Sequence, residues 1–382
     1  MRTAPLLTLL LAFVSSAADP LVVYFIDPTY DEYSGDAILV CTPGGRHYLI
    51  DGGMYSTWDP PWDCGAERVL PLLDSLGVTY LDGVVGTHPD ADHIGGLISV
   101  YGSLDILCAY DSGWPYGGTW VYEDYLEAIE GNISEYITPR AGDELDWGPE
   151  LTVQVLHPAE PLSPSNTNNA SIVIRLAYGE TSFLFTGDLE TSGGEDVVLA
   201  SIPPEDLSAD VLKVAHHGSW TSSSNMWLAA VDPSIAAICV GAGNPYGHPH
   251  WEVLDRLAGR GITVYRTDTA GTFYISSDGT DLFYNSLPSQ GGGPEPPTGF
   301  AVYPSPAIGW AIFSWDVSGG QTADLSVYNL NGEKILDVMA SGGIYTWNLG
   351  TADGGVAAPG LYAAVFRTDG GASCTEYFTV SR

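Results

Sequence analysis

Apolar runs with the look of buried strands end repeatedly in a histidine or an aspartate, and that recurrence limits the fold more than any other feature of the chain. Val84-Val85-Gly86 leads into Thr87-His88, Leu151 to Leu156 into His157, Ser182 to Phe185 into Thr186-Gly187-Asp188, and Val211 to Ala215 into His216-His217. Rigid strands that each carry a ligand-type side chain to the tip describe an α/β architecture in which separate strands converge on one spot. The first of these tips is the densest, with His88, Asp90, Asp92 and His93 ahead of Ile94-Gly95-Gly96. Four such side chains cannot share one direction on a strand or a helix. On a loop leaving a strand they diverge towards two adjacent cations.

The run His88-Pro89-Asp90-Ala91-Asp92-His93-Ile94-Gly95-Gly96 resembles the signature of the metallo-β-lactamase superfamily. Its form is that of the hydrolase domain attached to bacterial DNA-uptake (competence) channels and of free-standing relatives. The resemblance implies an α/β fold, an αββα sandwich over residues 20–286, and a dinuclear metal-dependent hydrolase. It assigns His88, Asp90 and His157 to a first cation, Asp92, His93 and one of His216-His217 to a second, and Asp188 to the place between. Strand-end position favours His216 as the ligand. His217 is then free to hold a substrate oxygen or protonate the leaving group, and the reverse assignment stays open. Asp92, His217 and His248 are the catalytic candidates, His248 as a contact from the far wall. The resemblance makes Asp51 a buried residue that orients the metal loop, against the alternative of an ordinary strand-to-loop Asp-Gly. Asn169, Ser171, Ser219 and Asn244 fall where substrate or supporting contacts are expected, in competition with plain turn and cap duty.

Asp90 stands where the commoner signature has a histidine. Carboxylates among imidazoles make a harder site, so manganese joins zinc as the expected cofactor. Two cations about 3.5–4 Å apart stabilise both attacking and leaving oxygens of an in-line displacement, which favours phosphodiester hydrolysis by a metal-bridging hydroxide over β-lactam cleavage. Fold alone leaves three competitors: an acyl hydrolase acting on lactones or β-lactams, an extracellular nuclease, and a non-catalytic surface binding protein.

Charge narrows the substrate. Twelve basic residues stand against 47 acidic ones, a formal net charge of −35. Such a field repels long nucleic acids and leaves small or extracellular phosphoesters as the expected partners. Met1-Arg2, the apolar Leu6 to Val14 and Ser15-Ser16-Ala17-Ala18 read as a secretory signal over residues 1–18, cleaved after Ala17 or Ala18. No later run is long enough to span a bilayer. The expected location is therefore secreted or cell-surface, with transit through the periplasm. Of the cysteines, Cys41, Cys64 and Cys108 are expected to pair, and Cys239 to pack as a small hydrophobe.

Between the tips, Pro28 to Ser34 lengthens the loop before Gly35-Asp36-Ala37, and Met54 to Gly65 is an irregular aromatic stretch suited to a cleft wall. Glu67 to Leu76 has helical spacing. Tyr110, Trp114, Tyr116, Trp120 and Tyr122 lie in a glycine-rich stretch; they either pack under a long loop or stack against a leaving group. Residues 287–298 (LPSQGGGPEPPT) form a linker on composition. Residues 299–382 resemble the small immunoglobulin-like carboxy-terminal module of flagellar hook-cap proteins and type IX secretion cargo. That resemblance implies a β-sandwich engaged by secretion machinery or used for surface attachment.

Overall fold

The computed structural model describes residues 20–29, 35–57, 61–115 and 119–286, together with 301–303, 307–308, 311–314, 322–329, 334–341, 344–347, 349–351, 355–358, 360–368 and 373–381. The signal over 1–18, the linker over 287–298 and Tyr116 lie outside the described residues. The chain divides into two compact units, Met1–Ser289 and Gln290–Arg382.

In the first unit the chain lays down β1 (Leu21–Phe25), β2 (Ala37–Cys41), β3 (His47–Gly52), β4 (Tyr80–Leu81), β5 (Gly83–Gly86), β6 (Asp105–Asp111) and β7 (Ile133–Ile137). It then builds β8 (Leu151–His157), β9 (Val173–Tyr178), β10 (Thr181–Phe185), β11 (Val211–Lys213), β12 (Ile235–Ile238) and β13 (Thr263–Arg266), and finishes with β14 (Phe273–Ser277) and β15 (Leu282–Ser286). Among the described residues the first sheet has the order β15-β14-β1-β2-β3-β5-β6-β4, with β7 also on β6, and the second runs β8 to β13 in chain order. β10 to β13 are parallel, as are β3, β5 and β6, so their carboxy-terminal ends open along one edge of each sheet.

Alternation along the strands explains the layering. Val23, Phe25, Ile38, Val40, Ile50 and Val85 from one sheet meet Val155, Ile174, Leu176, Phe183 and Phe185 from the other in a shared core. Their neighbours point the opposite way. Leu39, Leu49 and Val84 pack on the helices Leu97–Tyr101 and Trp120–Asn132, while Leu184, Leu212, Ala236 and Ile238 pack on Asn225–Val231 and Trp251–Gly259. The result is the four-layer αββα sandwich. Each fully buried side chain of this size contributes about 1.5–3 kcal/mol of transfer free energy. Because both faces are covered, the strands read as unbroken apolar runs, and their tips are held rigidly.

Two expectations change, the loop character of the aromatic stretch and the cysteine pairing. The stretch from Tyr101 to Tyr122 holds β6 and the start of the helix Trp120–Asn132, whose first turn is capped by Thr119 Oγ1 accepting from the Tyr122 amide. Tyr110 consequently lies in the inter-sheet core and Tyr122 under the helix, so packing rather than substrate stacking accounts for both. Cys41, Cys64 and Cys108 are unpaired; they sit on separate elements, and sequence spacing says nothing of the approach a disulfide needs. Cys239 packs in the inter-sheet core as expected.

In the second unit, Ala301–Tyr303, Ala311–Ser314 and Ile344–Trp347 form one sheet, and Ala307–Ile308, Ser373–Ser381, Gly360–Thr368, Thr322–Asn329 and Lys334–Ser341 another. Phe313 and Trp347 of the first share a core with Leu325, Val327, Phe366 and Phe378 of the second.

Candidate metal centre

The loop that leaves β5 is fixed from below by Asp51 at the end of β3. Its carboxylate accepts from the Thr87 amide at 2.8 Å, from Thr87 Oγ1 at 2.7 Å and from His93 Nδ1 at 2.7 Å. His93 Nε2 is thereby turned to Asp188 Oδ1, 3.2 Å away. Asp51 thus acts as the loop's anchor. Asp51→Asn removes the charge-assisted bond to His93 and is expected to weaken metal affinity by about 10–100-fold, measured by competition with a chelator.

The other tips follow the same design. His157, closing β8, donates from Nδ1 to the Ser171 carbonyl at 3.0 Å. Ser171 Oγ accepts from the Asp188 amide at 2.9 Å and lies 3.4 Å from His88 Nδ1, so one turn ties three candidate ligands together. Gly187 has φ +49°, and a side chain there would run into Ser171 Oγ, so the approach of Asp188 requires glycine. His217 donates from Nδ1 to the Cys239 carbonyl at 2.9 Å, and its Nε2 lies 3.2 Å from Asp92 Oδ2 and 3.5 Å from Asp188 Oδ2. With Nδ1 engaged in each case, the lone pair for a cation is the one on Nε2.

Ligand-type atoms of Asp36, His93, Asp188 and His217, all four residues buried, lie within 4.8 Å of one another. Nearby, His88 Nε2 is 3.6 Å from Asp90 Oδ2. Among the described residues, the buried Nε2 atoms of His88 and His93 and the Oδ1 atoms of Asp36 and Asp188 make no well-formed hydrogen bond and meet only the cluster's own ion pairs. Orphaned acceptors in the interior are costly, and a divalent cation offsets that cost, so this donor set fits a metal.

Electrostatics points the same way. Burial lowers the pKa of His93 and of His217, but Asp188 and Asp51 carry His93 well above its ordinary value, and Asp188 and Asp36 raise His217 to about 10. Asp92 and Asp188 are held below the usual carboxylate range although burial opposes it, Asp92 by His217 and His93, Asp188 by His93, His217 and His216. The cluster draws positive charge. At the periphery burial lowers His157 and His216, and burial with the neighbouring His217, His216 and His250 pushes His248 down to about 3.

The two adjacent histidines divide differently from the strand-end expectation. The His217 side chain is 4% exposed and joins Asp92, whereas His216 is 22% exposed, with Nε2 3.8 Å from Asp188 and Nδ1 3.4 Å from Glu190 Oε1. β11 ends at Lys213 and both histidines are in the left-handed region, so the turn, not strand alternation, decides which ring faces inward. Four contributors escape a reading by motif. Asp36 accepts an ion pair from Lys213, Glu190 stands behind His216, and Thr167 Oγ1 donates to Asp90 Oδ2 at 3.2 Å. A lysine closing an apolar strand was the available signal.

The remaining expected residues act at one remove. Buried Asn169 accepts from the Glu190 amide at 2.9 Å and donates to Ser165 Oγ and to the Ser192 carbonyl, so it supports Glu190. Ser219 Oγ lies 2.9 Å from Thr221 Oγ1, which in turn donates to Glu190. Asn244 brackets His248, accepting from its amide at 3.0 Å and donating to its carbonyl at 2.7 Å. The His248 ring stands 5.5 Å from that of His216.

Comparison with known proteins gives the family of the chain. ComE operon protein 3 of Bacillus subtilis is 35% identical over 255 residues, which cover 62% of this chain and 31% of that protein. Competence protein ComA of Neisseria gonorrhoeae is 33% identical over 243 residues, 63% of this chain and 31% of its own. The chain thus spans about a third of the length of these relatives. A solved diphosphatase of the PhnP family is 15% identical, with a TM-score of 0.36, over 64% of this chain and 94% of that one. The family profile described as Metallo-beta-lactamase superfamily matches residues 30–242, and the chain belongs to that superfamily.

Proposed function

We propose that this superfamily hydrolase is a dinuclear phosphodiesterase acting on small phosphoesters outside the cytoplasm. His88, Asp90 and His157 would hold one cation, zinc or manganese, and Asp92, His93 and His217 the other, with Asp188 between them. The observation that carries the reading is the convergence of Asp92 and Asp188 on the Nε2 atoms of His93 and His217. A carboxylate-rich donor set suits hard cations and phosphoryl oxygens. Divalent cations bound there supply Lewis acidity and a nucleophile from water near neutral pH.

The chain's own groups do the rest. Asp51 and Ser171 fix the imidazoles, and Lys213 fixes Asp36 beside His217. His216, at the rim with one nitrogen towards Asp188 and the other towards Glu190, is positioned to hold the leaving oxygen or hand it a proton. The test is apoprotein reloaded with manganese or zinc and offered bis-(p-nitrophenyl) phosphate beside a lactone and a β-lactam. Turnover of the diester is expected; opening of the lactone or β-lactam with the diester untouched would install the acyl-hydrolase reading.

The relatives' names, which speak of competence, raise a nuclease as the second reading. The net charge of −35 argues against a long polyanion, and steep inhibition of DNA cleavage at low salt is the signature to look for. We assign the carboxy-terminal sandwich to secretion or surface attachment, supported by its resemblance to sorting modules. Among the described residues no helix is long and apolar enough to cross a membrane.

A further inference from the structure

From the centre outward runs a ladder of rings. His216 Nε2 lies 3.8 Å from Asp188 Oδ2, the His248 ring stands 5.5 Å from His216, and Tyr246 stacks on His248 at 5.7 Å with an interplanar angle of 26°. Tyr246 is 67% exposed, and the His250 ring, 4.8 Å from His248, accepts at Nδ1 from the amide of the exposed Trp220. Single exposed aromatics are ordinary, but an exposed ring joined through stacked histidines to a candidate centre offers a face to a bound ligand. Asn244 clamps the turn at both ends of the His248 backbone, so the outer ring is presented on a stiff support.

We infer that Tyr246 and His248 form the stacking face for a planar heterocycle of nucleobase type, carried by the phosphoester whose phosphorus sits at the metal centre. This rests on the phosphodiester reading. Charge selects the base over the backbone. Arg256, the cation packed against this rim, directs its guanidinium to the carbonyls of Ser222, Ser223 and Trp220 and is not turned outward for phosphate. Every base offers a π face, so the platform tolerates sequence, while the acidic surface excludes a long strand. The implied substrate is a nucleoside phosphodiester or a very short oligonucleotide.

The experiment compares the thymidine monophosphate p-nitrophenyl ester with methyl p-nitrophenyl phosphate, which share a leaving group and differ in the base. In metal-loaded protein, Tyr246→Ala is expected to raise KM for the thymidine ester about tenfold, to keep its kcat, and to leave the methyl ester unchanged; Tyr246→Phe retains wild-type values on both. Equal losses on both esters, or no loss on either, would overturn the platform. Calorimetric titration with thymidine monophosphate decides the same point without turnover. Tyr246→Ala binding about tenfold more weakly than wild type supports it, and equal binding removes it. If the wild type hydrolyses neither ester, the phosphodiester reading falls, and the titration still judges the platform.

Discussion

Replacing Asp188 by asparagine is expected to cut turnover by about a thousandfold or more, since a lost Lewis-acid contact is worth several kcal/mol of barrier. The carboxylate faces His93, His217 and His216 together, at 3.2, 3.5 and 3.8 Å. Asparagine keeps its shape and leaves the backbone bond from residue 188 to Ser171 Oγ in place. What disappears is the charge that a pair of cations would share. Metal content per chain should fall with activity while the circular dichroism spectrum stays that of the wild type. Unchanged metal content would remove Asp188 from the ligand set.

The second large effect is on stability. Lys213→Met is expected to cost about 3–5 kcal/mol, because it removes one partner of a buried ion pair and leaves the Asp36 carboxylate with only the neighbouring imidazoles. Lys213 is buried, pairs directly with Asp36 Oδ2 and donates to the Gly187 carbonyl at 3.1 Å. Asp36 is itself a junction. Its amide donates to the Asp92 carbonyl at 3.1 Å, its carbonyl accepts from Gly53 at 2.7 Å, and its Oδ1 lies 3.2 Å from His217 Nδ1. Burial lowers the lysine pKa, but Asp36 and Asp188 more than reverse that, so the ammonium form is the one that holds the strand tip. Urea denaturation should show a lower midpoint with an unchanged slope. An unshifted midpoint would mean that Asp36 is satisfied without the lysine.

What the sequence discloses and what it hides follow from the same physics. β10 and β11 are covered on both faces, so their apolar runs are unbroken and the ligand at each end stands out. Asp188 stands out in the sequence for that reason, His88 because it follows the buried Gly83–Gly86, and His157 because it ends an alternating strand. Asp36 does not, because Gly35-Asp36-Ala37 has the composition of any turn. Only the fold brings it under Lys213. The choice between His216 and His217 depends on two successive left-handed residues, a backbone detail with no signature in residue type. The helix Trp120–Asn132 was hidden by the glycines and aromatics before it, although Thr119 is an ordinary cap. Expected cysteine pairs failed because pairing is a matter of distance, which composition does not contain.

The central claim is that distant strand tips gather a pair of cations around Asp188. Anomalous diffraction from crystals of manganese-loaded protein tests it most directly. About two ordered cations per chain are expected, as in other two-metal hydrolases, with Asp188 between them, His88, Asp90 and His157 around one and Asp92, His93 and His217 around the other. Density maps with no ordered cation at Asp188, or with cations bound elsewhere while His88 and His93 keep bare Nε2 atoms, would contradict it.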